Sequence, residues 1–247
     1  MKKFKNGVLY QGDCLEIMPT LSPQSIDMIL CDLPYGTTAC KWDSIIPFEP
    51  LWREYRRLIK PRGAIVLTAS QPFTSALVMS NAKDFRHEWV WFKNVPTGMA
   101  QASRAPMKYH ESVLVFCAGK ITTFNKHMEP REGKGKKCYA HAHYCGENNH
   151  VKMNKVKLFY PVGEVNPSSV ILFNSVPNRR GKLHPTQKPV ALFEYLIKTY
   201  TQPGATVLDN CAGSGTTGAA CDNTGRQFVL IEQEKNYCDI IKKRLAK

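Results

Sequence analysis

Four strand-length apolar runs constrain this 247-residue chain more than any other feature: "IDMILC" (26–31), "GAIVLTA" (63–69), "TVLD" (206–209) and "FVLIE" (228–232). None keeps the strict alternation of a half-solvated strand, so each is read as buried on both faces, as strands of a parallel sheet are. Helical segments stand between them. "FEPLWREYRRLIKP" gathers Phe48, Leu51, Trp52, Tyr55, Leu58 and Ile59 on one face and stops at Pro61, and "VALFEYLIKTYT" is a second amphipathic helix after Pro189. "PFTSALVMSNA" reads as a helix and "CLEIMPTL" as a helical turn, while "GVLYQGD", "HEWVWFKN" and "ESVLVFCAGK" are strand-like. No repeat is present. The alternation predicts an α/β fold with a mostly parallel sheet, long enough to be one domain with an insertion.

Two strand ends carry candidate chemistry. "CDLPYG" closes the run before it with Asp32, then places Leu33, Pro34, Tyr35 and Gly36 in succession. A carboxylate at the end of a buried strand is rigidly held beside an opening cleft, although the same string also describes a capped turn. "VLDNCAGSGTTGAA" contains Gly213, Gly215 and Gly218 as G-x-G-x-x-G between a strand and a helix, and the next strand ends at Glu232, a carboxylate fit for two ribose hydroxyls. A dinucleotide needs a second mononucleotide-binding half after this loop, and only one strand–helix unit follows. A cofactor with one nucleoside and no pyrophosphate fits better. S-adenosylmethionine is such a cofactor, and Asp209 is then expected near its ammonium group.

In these two loops together, the chain resembles the DNA amino-methyltransferases, which methylate the exocyclic amine of adenine or cytosine. "DLPY" (Asp32–Tyr35) is similar to their catalytic Asp/Asn/Ser-Pro-Pro-Tyr/Phe, and "DNCAGSGTT" (Asp209–Thr217) to their cofactor loop D-P-F-x-G-S-G-T-T. "HPTQKP" (184–189) matches the segment preceding that loop in one permuted group, and "GDCLEIMPTL", "GAIVLTASQPF" and "HESVLVFCAGK" are further matches. The catalytic motif lies first and the cofactor loop last, the β arrangement. The resemblance implies a Rossmann-like S-adenosylmethionine-dependent methyltransferase fold with circularly permuted motif order. It implies methyl transfer to N6 of a flipped-out adenine, with N4 of cytosine as the alternative. Cytosine enzymes tend to carry Ser where Asp32 stands. RNA or protein-glutamine methylation, and a DNA-binding module with a vestigial cofactor site, remain open beside it.

By the same resemblance, Asp32, Leu33, Pro34 and Tyr35 are the catalytic set. The carboxylate and a Leu33 or Pro34 carbonyl each accept an N–H of the amine, Pro34 stiffens the turn, and Tyr35 offers its ring to the base. The cofactor contacts implied are Asp13, Cys14, His184, Thr186, Gln187, Lys188, Asp209, Cys211, Ala212, Gly213, Ser214, Gly215, Thr216, Thr217 and Glu232. Asp13 is equally an N-cap for "CLEIM". Thr186, Gln187 and Lys188 are expected near the methionine end of the cofactor. Two departures stand out. Leu33 replaces the motif's first proline, and Asn210 and Cys211 replace Pro-Phe, which costs a packing contact with the cofactor.

The formal net charge of +14 points to a polyanion partner, nucleic acid before membrane. No run is long and apolar enough for an export signal or a membrane span. Nine cysteines, an odd number, sit mostly in apolar strings, so reduced thiols and a cytoplasmic setting are expected. From 120 to 166 the chain turns polar, basic and aperiodic. The expected organisation is a catalytic half over 1–119, a variable basic insert for target recognition over 120–166, and a cofactor-binding half of the same domain over 167–247. Lys134, Lys136, Lys137 and Lys152 in the insert, with Arg104, Lys108 and His110 before it, are the candidate double-stranded-DNA contacts. Cys138, His141, His143, Cys145 and His150 are zinc-type ligands, but their spacing matches no standard finger and no metal is assigned. The resemblance also allows a homodimer and a restriction endonuclease of the same system as partners.

Overall fold

The four apolar runs lie side by side in the computed structural model, which describes all residues except 38–42, 131–137, 146–150, 159–163, 177–182, 184–186 and 247. Two units are present, Met1–Asn125 with Ser169–Lys247, and Lys126–Ser168. The first begins with β1 (Lys2–Phe4), β2 (Gly7–Gln11), α1 (Cys14–Ile17), β3 (Ile26–Asp32), α2 (Phe48–Leu58), β4 (Ile59–Ala69), α3 (Phe73–Ser80), β5 (Phe85–Thr97) and β6 (Lys108–Phe116). The second holds β7 (Glu129–Pro130), β8 (Cys138–Cys145), β9 (Val151–Leu158) and β10 (Glu164–Val165). The first then resumes with β11 (Val170–Leu172), α4 (Val190–Tyr200), β12 (Thr206–Asp209), α5 (Thr216–Thr224), β13 (Gln227–Glu232) and α6 (Lys235–Arg244).

The sheet order is β1-β2-β13-β12-β3-β4-β6-β5-β11. The pairs β2–β13, β13–β12, β12–β3, β3–β4 and β5–β11 are parallel, and β1–β2, β4–β6 and β6–β5 antiparallel. The central parallel strands β3, β12 and β13 are buried on both faces because helices cover both. On β3, Met28 and Leu30 join a core with Phe193 and Ile197 of α4, Cys221 of α5 and Ile241 of α6. Ile29 and Cys31 point the other way, into a core with Trp52 and Tyr55 of α2 and Phe73 and Leu77 of α3.

This order positions the site. From β3 the chain crosses through α2 to β4 on one side, and from β12 through α5 to β13 on the other. The crevice between adjacent β12 and β3 is therefore a topological switch point, where open α/β sheets bind ligands beyond the carboxyl ends of their strands. Register brings the strand ends together: Leu208 pairs with Ile29, Asp32 with Thr68, and Glu232 with Gln11. Motifs 177 residues apart in sequence, Asp32 and Asp209, thus end neighbouring strands.

The second unit contains two antiparallel ladders, β7 with β10 and β8 with β9, the latter in register from Cys138–Leu158 to Cys145–Val151. At both junctions the first unit ties down its own backbone. The Asn125 N–H donates to Thr199 O at 2.8 Å and its amide to Lys198 O at 2.7 Å and Thr201 O at 3.0 Å, at the C-terminal end of α4. Ser169 O accepts from the Val90 N–H at 2.8 Å. Among the described residues, no helix is long and apolar enough to cross a membrane.

Candidate active site

A cleft of about 1090 Å³ opens at the carboxyl edge, lined by Asp13, Asp32, Tyr35, Lys188, Gly213 and Glu232 among others. On its cofactor-loop side, Gly215 caps α5 with φ of +78°, a conformation that glycine adopts without strain. A Cβ at Gly218 would stand 2.7 Å from Leu245 Cδ1 and 3.0 Å from Leu230 Cδ1, so this glycine lets α5 pack close to the sheet. Glu232 accepts the Gly213 N–H at 2.7 Å and the Glu234 N–H at 2.8 Å. Burial pushes its carboxyl up to about 7 against the pull of those two N–H groups. Each carboxylate oxygen keeps a lone pair for a ligand hydroxyl. The loop's backbone, the carboxylate and the cleft volume fit a nucleoside cofactor.

Asp209 lines the cleft; it is 3% exposed, and its oxygens accept the Cys211 N–H at 3.1 Å and a short hydrogen bond from Thr217. It thereby ties the loop to the first turn of α5, and burial pushes its carboxyl up to about 6. Asp13 caps α1, accepting the Leu15 N–H at 2.7 Å, and also lines the cleft. Gln187 lines the cleft and accepts the Leu183 N–H at 3.0 Å. Cys14, Cys211, Ala212, Ser214 and Thr216 line it too. His184 and Thr186 lie outside the described residues.

The two departures are filled by packing. Leu33 is buried in the core beneath α2. Asn210 is 3% exposed and accepts the Tyr55 hydroxyl at 2.6 Å, and Cys211 packs by Cys14 and Cys31. Burial raises the Cys31 thiol to about 12, while a hydrogen bond from Cys211 lowers that of Cys14. Tyr55→Phe leaves Asn210 Oδ1 buried without its donor, so a loss of about 1–3 kcal/mol is expected in denaturant unfolding. A loss under a few tenths would mean that the hydrogen bond does not hold the loop.

On the catalytic side, Asp32 Oδ1 accepts the Tyr35 hydroxyl at 2.8 Å and a short hydrogen bond from Thr68, and Oδ2 accepts Lys188 Nζ at 2.8 Å. Burial, and then the Asp32 charge, push the Tyr35 phenol well above its ordinary range, so it stays a donor. Both Tyr35 and Lys188 line the cleft, with partners of their own. Phe73 stacks on the Tyr35 ring at 5.2 Å, and Lys188 Nζ is 5.5 Å from its centroid. Lys188 is paired with Asp32 at 2.8 Å and with Glu111 at 3.4 Å. The cause is burial: at 6% exposure an ammonium needs anionic partners. Burial favours its neutral form, but Asp32, Tyr35 and Glu111 outweigh that and hold it well above the ordinary lysine range. Lys93, 2% exposed, donates to Glu111 at 3.0 Å, and the two lysines overcome burial to keep Glu111 below the usual carboxylate range.

Thr68, Glu111 and Lys93 were not among the sequence candidates. Lys93 had a signal, since it continues the inward register of Trp89 and Trp91, where a lysine is out of place. Arg104, Lys108 and His110 are exposed, and Lys108 also lines the cleft. Lys134, Lys136, Lys137 and His150 lie outside the described residues, whereas Lys152 falls in β9 and Cys138, His141, His143 and Cys145 in β8. Among the described residues, no group of three or more His, Cys, Asp or Glu side chains could hold a metal. Cys14, Cys31, Cys117, Cys211, Cys221 and Cys238 are free thiols.

A carboxylate turn and a glycine-rich nucleoside loop, side by side at a switch point, define a Rossmann-like transferase site. The family model N6_N4_Mtase, described as DNA methylase, matches residues 26–243, and the chain belongs to that family. It is 28% identical over 250 residues to the Type II methyltransferase M.HpaI of Haemophilus parainfluenzae, covering 95% of this chain and 72% of that one. It is 27% identical over 275 residues to M.HinfI of Haemophilus influenzae, covering 98% and 68%. The crystal structure of the M1.HpyAVI–SAM complex matches with a TM-score of 0.65 and 27% identity, over 97% of this chain and 100% of that one. The cytosine-N4-specific PvuII DNA methyltransferase matches with a TM-score of 0.69 at 14% identity, over 98% of this chain and 87% of that one, which speaks for the fold alone.

Proposed function

We propose that this DNA methylase transfers a methyl group to N6 of an adenine extruded from double-stranded DNA. The cofactor is S-adenosylmethionine. The observation that carries the reading is the Asp32 carboxylate at the end of β3, opening into the same cleft as Gly213 and Glu232. When bound, S-adenosylmethionine supplies an electrophilic methyl on a cationic sulfur, and Glu232 and the Gly213–Thr216 backbone are the groups to hold its nucleoside.

The chain's own task is to prepare the nucleophile. An adenine amine is weak because its lone pair is delocalised into the ring. Asp32 and a main-chain carbonyl of Leu33 or Pro34 each accept one of its N–H groups, which lets the nitrogen pyramidalise. As the N–C bond forms, the methyl's bonding pair stays on the departing sulfur, the nitrogen becomes cationic, both hydrogen bonds strengthen, and the transition state is stabilised more than the ground state. The surplus N–H proton then leaves to solvent. Tyr35 and Thr68 aim the carboxylate by holding Oδ1. The base must leave the duplex to reach this depth, at a cost of about a few kcal/mol offset by stacking and phosphate contacts.

Arg104, Lys108 and His110 supply a basic surface for the DNA, and the unit Lys126–Ser168, with Lys152, is proposed to read its sequence. A cytoplasmic setting, a homodimer and a restriction endonuclease of the same system accompany this reading. The test is transfer of labelled methyl from S-adenosylmethionine to unmethylated genomic DNA, followed by digestion to nucleosides and mass spectrometry. Label in N6-methyladenine is expected. Label in N4-methylcytosine would move the chemistry to cytosine, and no labelled nucleoside would overturn the reading.

A further inference from the structure

Lys188 stands where the target amine has to go. Its Nζ is 2.8 Å from Asp32 Oδ2 and 5.5 Å from the Tyr35 ring centroid, the two groups assigned above to the extruded base. Asp32 Oδ1 is already used by Tyr35 and Thr68, so Oδ2 is the oxygen left to receive an N–H. Oδ2 keeps a second lone pair beside Lys188, but an ammonium there crowds the amine and cancels the negative charge that would stabilise the nitrogen as it turns cationic. Transfer is therefore expected to speed up as Lys188 withdraws.

The place for it to go is present. Glu111 Oε2 is buried and already pairs with Lys188 Nζ at 3.4 Å, a longer contact than the 2.8 Å to Asp32. No hydrogen bond of ordinary geometry reaches this oxygen among the described residues, so a closer approach of the lysine would satisfy it. Glu111 Oε1 is held by Lys93 at 3.0 Å, which keeps the side chain in place. Moving Nζ from Asp32 Oδ2 to Glu111 Oε2 exchanges one charge-assisted hydrogen bond for another. Asp32, Lys188, Glu111 and Lys93 sum to zero charge before and after the move. A compact ammonium on a flexible stem is suited to it, as a rigid guanidinium fork is not.

We propose that Lys188 is a positioning residue that occupies Asp32 in the resting enzyme and moves onto Glu111 when the target base enters. Glu111 thereby sets how completely Asp32 is released. This deepens the proposed function and rests on it.

The test compares wild type, Glu111→Gln, Lys188→Met and the double variant. It reads single-turnover transfer of labelled methyl to unmethylated genomic DNA, and cofactor affinity by calorimetry. In Glu111→Gln the lysine has only Asp32 to pair with, so transfer is expected to slow by roughly 30-fold while cofactor Kd stays within about threefold. The double variant, with no ammonium left on Asp32, is expected to recover by about fivefold or more over Glu111→Gln. A double variant as slow as Glu111→Gln would overturn the proposal and leave Glu111 a structural residue. A rise of more than about tenfold in cofactor Kd for Lys188→Met, without that recovery, would assign the lysine to the cofactor instead. Should Glu111→Gln not fold, Glu111→Gln with Lys93→Met removes one charge of each sign and carries the same comparison. Wild type that labels no nucleoside would overturn the proposed function itself, a result separate from failed recovery in an active enzyme.

Discussion

Asp32→Ala is expected to lower methyl transfer by roughly 10²–10³-fold or more, with cofactor affinity nearly unchanged. The size follows from what the carboxylate does. It meets a charge that develops only during the reaction, so its loss appears in the rate of transfer and hardly in binding. Asp32→Asn keeps the shape and one acceptor oxygen but no charge, and its rate should fall between alanine and wild type. In both variants Lys188 keeps Glu111 as an anionic partner, so the fold is expected to be retained. Single-turnover rates with calorimetric cofactor titration make the check. An alanine variant keeping a tenth of the wild-type rate would remove Asp32 from the chemistry.

Glu232 should govern cofactor binding, and through pH. Its carboxyl is pushed up to about 7, chiefly by burial, and ribose hydroxyls donate best to the ionised form. Falling pH protonates it, so affinity weakens on the acid side and levels off above the pKa. Between pH 8 and pH 6 the ionised fraction drops from about nine tenths to about one tenth, and Kd should rise about tenfold. Below pH 7 binding should release protons, which titration in two buffers of different ionisation heat detects. Glu232→Gln should bind weakly with no such pH dependence. Glu232→Ala also strands the Gly213 and Glu234 N–H groups, and a loss of roughly 10²-fold in affinity is expected. A tenfold acid weakening that persists in Glu232→Gln would place the titrating group elsewhere.

What could be read from sequence was whatever a strand end controls locally. Asp32, Asp209 and Glu232 each finish an apolar run, and their convergence follows once those runs pair in parallel. The partners of these carboxylates were not legible, because register and packing choose them. Lys188 lies 156 residues from Asp32, and nothing in "HPTQKP" says which anion its ammonium meets. Thr68 meets Asp32 only because β3 and β4 pair as they do. Asp209 also ends a strand, but its hydrogen bond from the Thr217 hydroxyl, in the first turn of α5, is set by how that helix packs. Asn210 and Cys211 together looked like the loss of a cofactor contact, and Tyr55 on α2 gives Asn210 a structural use.

The junctions at Asn125 and Ser169 have a consequence for changes in the inserted segment. Where the chain leaves the first unit, α4 grips its backbone, and where it returns, β5 does, so the ends of the inserted segment are fixed by residues outside it. Mutations between these two points leave both clamps in place. A segment of different length and composition between these points is expected to leave the two anchoring sets of hydrogen bonds unchanged.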